Sequence, residues 1–183
     1  MGAEGTLGLI TEITLKLAVI PQETSVAVVP FPSVYDAASA AAKLMRSGIQ
    51  LAALEIMDEM QMRVINRSGG AASKRRWAES PTLFLKSEKP MYQHFRSTLT
   101  FYRFSGTKET IKNDIERVAK IVADFNAGSF IFAGNKQEEL DLWSARKEAL
   151  WAMLSQRPSG TEIWSTDVAV PLSRMAEIIG ILS

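Results

Sequence analysis

The sequence predicts an α+β domain built on an antiparallel sheet with helices on one face. Two observations predict it. Short runs that alternate apolar and polar, rich in β-branched residues, recur between longer runs whose apolar residues repeat every three or four positions. From Ser25 on, these runs follow in the order strand–helix–strand, then strand–helix–strand–helix–strand, which suits helices covering an antiparallel sheet.

Residues 9–17 alternate apolar and polar and read as a strand that Pro21 ends. Residues 25–31 (SVAVVPF) form a second strand. A helix follows: Ser33 is its N-cap, Asp36 stands at N3, the alanine-rich run from Ala37 to Arg46 propagates it, and Gly48 supplies the stop. Residues 51–56 give a short strand and 57–66 a helix. The stretch 69–76 is a loop, and 81–86 (PTLFLK) is a strand.

The clearest helix begins after Gly106, capped by Thr107. Ile111, Ile115, Val118, Val122 and Phe125 make one apolar stripe, and Gly128 ends the segment. Residues 129–133 (SFIFA) are a strand, and 136–154 a long helix broken by Pro158 and Gly160. Residues 163–170 are a last strand, and Pro171 opens a final short helix. Ferredoxin-like arrangements have this order of elements.

Composition narrows the chemistry. Of 183 residues, 46% are hydrophobic and 22% charged, which is globular composition. Lys and Arg number 21 against 20 Asp and Glu, a net charge of +1, so no strong field steers nucleic acid or a membrane surface. With no cysteine, disulfides, thiolate catalysis and Cys-ligated metal are excluded within these residues. The single histidine, His94, excludes a site built on two of them and reads as a surface residue. No apolar run approaches the roughly 20 residues of a membrane span, and the first residues do not have the pattern of a signal peptide.

Arg146 is the most informative charge. Its helical neighbours at three and four positions are Leu142, Trp143, Ala149 and Leu150, all apolar, so no acid on its own helix pairs with it. Either an acid from another element satisfies it, or its planar fork awaits an anionic ligand such as a carboxylate. Arg117, by contrast, has Asp114 one turn before it. The glycines of Gly2-Ala3-Glu4-Gly5-Thr6-Leu7-Gly8 let backbone approach a phosphate or a flat cofactor, or simply form a turn. The run Lys74-Arg75-Arg76-Trp77 reads as a solvated loop. Met57, Met60 and Met62 read as core filling, and Glu55 and Asp58 are acids without an evident nucleophile to serve.

Several segments together resemble one family. Gly2-Ala3-Glu4-Gly5-Thr6-Leu7-Gly8-Leu9-Ile10-Thr11 is similar to the segment that closes the flavin domain of the FAD-linked oxidases. Leu142-Trp143-Ser144-Ala145-Arg146 resembles the L-W-x-x-R signature of their C-terminal cap domain. Thr166-Asp167-Val168-Ala169-Val170-Pro171-Leu172 and Leu54-Glu55-Ile56-Met57-Asp58 resemble two further cap motifs. The resemblance is strongest to fungal mitochondrial members that act on D-lactate.

The resemblance implies that residues 1–22 end the flavin domain and 23–183 belong to the cap. It implies FAD-dependent oxidation of a D-2-hydroxy acid, D-lactate to pyruvate, with cytochrome c as acceptor. Relatives acting on glycolate or D-2-hydroxyglutarate are the neighbouring alternatives, and a free-standing binding module without redox activity is the alternative of another class. Glu4, Gly5, Thr6, Leu7, Gly8 and Ile10 would line the FAD. Arg146 would grip the substrate carboxylate, and Trp151, one turn on, would shape the pocket. Ser165 stands where the hydroxyglutarate branch carries a lysine for a second carboxylate, which favours a monocarboxylate.

The chain also departs from the family pattern. The pyrophosphate loop and the histidine-rich catalytic and metal-binding segment of the family are not among these residues, so no tight FAD binding or turnover is expected of them alone. Residues 87–103 interrupt the family's P-T-L-F-[LF]-K-F-S-G run between Lys86 and Phe104. They read either as an unspliced intron or as a genuine loop insertion.

Overall fold

A computed structural model describes residues 2, 4–67, 98–164 and 167–182. The strand expected at 81–86, the loop at 69–76, the basic run at 74–77 and His94 lie outside the described residues.

The first strand, β1 (Glu23–Phe31), leads through Ser33 into α1 (Val34–Arg46). Ser33 is extended, and its Oγ accepts from the Asp36 backbone N–H at 3.0 Å, satisfying one of the orphan donors of the first turn. Gly48, at φ +73°, takes the left-handed turn just past the helix. Then come β2 (Ala53–Met57) and α2 (Glu59–Arg67), the latter capped by Asp58, whose Oδ1 accepts from Gln61 N–H at 2.7 Å.

The strand β3 (Thr98–Gly106) is followed by α3 (Lys108–Ala123), with Thr107 accepting from Thr110 N–H at 3.2 Å. The short β4 (Ile131–Phe132) precedes the long α4 (Lys136–Ser155), capped by Asn135. A 3-10 turn at Leu172–Arg174 runs into α5 (Met175–Leu182), which packs on α1.

The sheet order is β2-β3-β1-β4, with all neighbours antiparallel. Sequence neighbours β1 and β2 are separated by β3, as a ferredoxin-like crossover requires. Alternation along the strands divides the side chains between two cores. Ala27, Val29, Phe31, Tyr102 and Phe104 meet Ala37, Ala40 and Leu44 of α1 and Ile111, Val118 and Val122 of α3. Val26, Val28, Met57 and Phe101 meet Met62 and Ile65 of α2 and Leu142 and Ala152 of α4. α1 and α3 thus cover one face and α2 and α4 the other, where the sequence places helices on one.

Two expected strands are not found among the described residues. Residues 7–20 carry no strand, although their alternation is clear, and Leu7, Leu9, Leu17, Val19 and Ile20 are all more than 80% exposed. Alternation marks a strand face, but a strand also needs a neighbour for its N–H and C=O groups, and none of the described strands pairs with this segment. The same holds for 163–170, whose described residues join no sheet.

The stretch 87–103 does not stay outside the sheet. Its last six residues, Thr98 to Arg103, form the first two thirds of β3, with Phe101 and Tyr102 wholly buried at the sheet centre. Met57 and Met62 fill the core as expected. Met60 points to solvent.

Candidate functional site

The face of the sheet beneath α4 carries the polar side chains of interest. Glu55 lies in the middle of β2, in register with Phe101, and Ala53 is in register with Arg103. By alternation Glu55, Arg103 and Phe101 share this face. Leu142, wholly buried, and Trp143 anchor α4 to it. One turn on, Arg146 Nε lies 3.1 Å from Glu55 Oε1. The acid missing from the arginine's own helix therefore comes from a strand. Arg103 reaches the same helix from β3, its guanidinium carbon 6.0 Å from the centre of the Trp143 ring, within the range of a cation–π contact.

This group is open to solvent on one side. The Arg146 side chain is 49% exposed and that of Glu55 34%. The closest approach is through Nε, and no second carboxylate of the described residues lies within ion-pair distance of Arg146. Nearer the start of α4, Lys136 Nζ donates to Glu139 Oε2 at 2.7 Å and to Thr24 Oγ1 at 3.1 Å, and Thr24 donates to Glu139 at 3.2 Å. That cluster is internally satisfied. Arg117 pairs with Asp114 at 3.5 Å, as its spacing predicts.

Trp151 is placed differently from Arg146. It lies five residues on, about 140° round the helix, and is 70% exposed. No described contact brings it to the Glu55–Arg146 pair.

The glycine segment is a turn at the surface. Gly2 and Gly5 have φ +81° and +79°, Glu4 is also left-handed at +47°, and the side chains from Glu4 to Ile10 are exposed. A side chain grown at Gly2, Gly5 or Gly8 would meet nothing within 4 Å. The described residues thus offer open backbone on one side and no walls, and they do not by themselves enclose a flavin. An open groove of about 420 Å³ between the start of β1 and α3 is lined by Glu23, Lys108, Lys112 and Glu116, and holds none of the expected site residues.

Helical spacing exposed Arg146 as a charge in want of a partner. It could not supply Glu55, because strand register depends on distant pairing. No sequence signal pointed to Arg103 over Trp143.

The fold and this arginine-bearing helix define the class of protein: the chain belongs to the FAD linked oxidases through their C-terminal domain, whose family model matches residues 20–181. Among curated relatives, the mitochondrial D-lactate dehydrogenase (cytochrome) of Kluyveromyces lactis is 43% identical over an alignment 183 positions long, with 98% of this chain and 29% of the relative covered. The corresponding Arabidopsis thaliana enzyme is 41% identical, with 98% of this chain and 28% of the relative covered. The chain therefore spans less than a third of the length of these relatives. A solved alkyldihydroxyacetonephosphate synthase superposes with a TM-score of 0.60 at 20% identity, covering 85% of this chain and 28% of that one. That likeness concerns the fold.

Proposed function

We propose that this chain is the substrate-binding cap portion of an FAD-dependent D-2-hydroxy-acid dehydrogenase that oxidises D-lactate to pyruvate. The observation that carries the reading is Arg146: a half-exposed guanidinium on an anchored helix, approached by one described carboxylate, and that at its Nε end. Its fork donates two parallel hydrogen bonds to a carboxylate. Binding the acid end of a 2-hydroxy acid this way fixes the orientation of its C2–H and hydroxyl.

The flavin of the complete protein supplies the redox chemistry, and the residues described here supply recognition. The reading includes cytochrome c as electron acceptor and a mitochondrial location, supported by relatives named as mitochondrial D-lactate dehydrogenases (cytochrome). A monocarboxylate is favoured over D-2-hydroxyglutarate because Ser165 stands where a second cation is needed. The segment Glu4 to Ile10 would contribute to the flavin surface only when further walls close over it.

Both sheet faces are covered by helices, so no bare sheet face supports the reading as a free-standing module. The exposed leucines and isoleucines of residues 7–20 are a surface that a larger assembly would cover.

The test is a titration of the chain with D-lactate, L-lactate, glycolate and D-2-hydroxyglutarate, followed by NMR. D-lactate binding that is lost in Arg146→Ala supports the reading. Binding unchanged in that variant overturns it. Visible spectra after adding FAD, then D-lactate, complete the test: a bound flavin bleached by D-lactate would show that these residues hold more of the machinery than proposed.

A further inference from the structure

We propose that Glu55 is a positioning residue for Arg146, gripping the Nε end of its guanidinium so that the outer Nη edge is presented to a singly charged carboxylate. The inference rests on the reading of Arg146 as the carboxylate-binding residue and adds a second residue and a charge selection to it.

Three observations carry it. First, Glu55 is mounted rigidly. It lies at the centre of β2, in register with Phe101, which is wholly buried. Leu142 and Trp143 fix α4 against the same face one turn before Arg146. Both ends of the 3.1 Å contact are therefore set by packing rather than by the pair itself.

Second, the contact uses one edge of the guanidinium. The group presents two forks, a side edge with Nε and an end edge with Nη1 and Nη2. Glu55 makes its closest approach at Nε, and no second carboxylate of the described residues lies within ion-pair distance to take the end edge. An acid placed there steadies the cation without occupying the edge that suits bidentate binding.

Third, the local charge does not cancel. Arg103 joins Arg146 on this face, and its described side-chain contact is with the Trp143 ring, not with an acid. Two guanidiniums against one carboxylate leave a single positive charge. That balance matches a monoanion such as lactate. A dianion would leave the face net negative, with one carboxylate unpaired. Since exposed ion pairs are individually weak, Glu55 acts through geometry more than through binding energy.

The experiment follows D-lactate binding and the Arg146 Nε–Hε resonance by NMR in the unmodified chain and in Glu55→Gln, Glu55→Asp and Arg146→Ala. The expected result is a weakening of about three- to fivefold in Glu55→Gln, the most that an exposed pair supports, with partial recovery in Glu55→Asp. The Nε–Hε resonance should move in Glu55→Gln, yet stay at its wild-type position when the unmodified chain is saturated with D-lactate. Tighter binding by Glu55→Gln, or loss of the wild-type resonance position on saturation, would show that Glu55 competes for the site and would overturn the inference alone. Binding that survives Arg146→Ala, or its absence from the unmodified chain, overturns the underlying reading as well.

Discussion

Thr100 and Tyr102 stand two residues apart on the same face of β3, and both hydroxyls are buried without a hydrogen-bond partner among the described residues. Tyr102 stacks near Phe104, with ring centres 6.3 Å apart, and tilts against Phe130 at 5.6 Å. Its surroundings are apolar, and burial pushes its phenol well above the usual tyrosine range.

Tyr102→Phe should therefore stabilise the fold. The change removes an oxygen that has lost water and gained nothing, a gain of about 1 kcal/mol at neutral pH. The pH dependence has a definite sign. The folded state holds the phenol proton more tightly than the unfolded state, so native stability is full below about pH 10 and declines as pH rises above it. Urea unfolding at pH 7 and near pH 11 checks both points. The variant should have the higher midpoint at pH 7 and the shallower alkaline decline. An equal decline in the two proteins would place the alkaline sensitivity elsewhere.

The sequence reads Gly128 as the end of a helix, but α3 stops at Ala123, and the structure gives Gly128 a different role. Its N–H donates to the Pro30 carbonyl at 2.8 Å, and an added Cβ would lie 2.7 Å from Pro30 Cγ. The proline ring cannot rotate away as a flexible side chain would. Gly128→Ala should cost about 1–3 kcal/mol, the range for forced overpacking. A lower urea midpoint at unchanged slope is the expected readout, and an unchanged midpoint would mean that the loop yields freely.

Arg146→Lys separates charge from shape. Lysine keeps the positive charge beside Glu55 but lacks the planar fork. Stability should change by less than about 1 kcal/mol, because the pair is half-exposed. D-lactate binding should weaken by about tenfold, the loss of one charge-assisted hydrogen bond at about 1.4 kcal/mol. Thermal melts and the NMR titration measure the two effects independently. Undiminished binding would show that charge alone suffices and that the fork is irrelevant.

What the sequence made legible divides along the range of the interactions. Ser33 and Thr107 announced their helices because capping acts within three residues. The Ile111, Val118 and Val122 stripe announced a buried face for the same local reason. Residues 9–17 misled because alternation reports which side chains share a face and says nothing about a pairing partner. The covering of the second face by α4 was not legible because apolar residues lie all round that helix: Leu142 and Ala152 are buried while Leu140, Leu150 and Trp151 are exposed, so no single stripe marks its inner side. At the site, the isolation of Arg146 was a local fact and readable, whereas Glu55 reached it only through the register of β2 on β3.

The two orphaned hydroxyls also bear on residues 87–103. Aligning Lys86 with Arg103 sets Phe84 against Phe101, Leu83 against Thr100 and Leu85 against Tyr102. A chain lacking Ser87 to Arg103 joins Lys86 to Phe104, and its strand then reads T-L-F-L-K-F-S-G. The aromatic position facing α2 and α4 is kept. On the other face, two leucines replace a small polar and a large polar side chain at adjacent positions. The exchange roughly conserves volume, which cores tolerate, and it removes both unsatisfied hydroxyls, at about 1–3 kcal/mol each. Some of that gain is offset by lost ring packing against Phe104 and Phe130. The shortened chain should fold with the same circular dichroism signature per residue and a urea midpoint at or above that of the parent. It should also retain D-lactate binding, because Glu55, Trp143 and Arg146 lie outside the deletion and Lys86 brings a positive charge to the position of Arg103. Failure to fold would show that Thr98 to Arg103 are an integral part of β3 and that Thr82 to Lys86 cannot replace them.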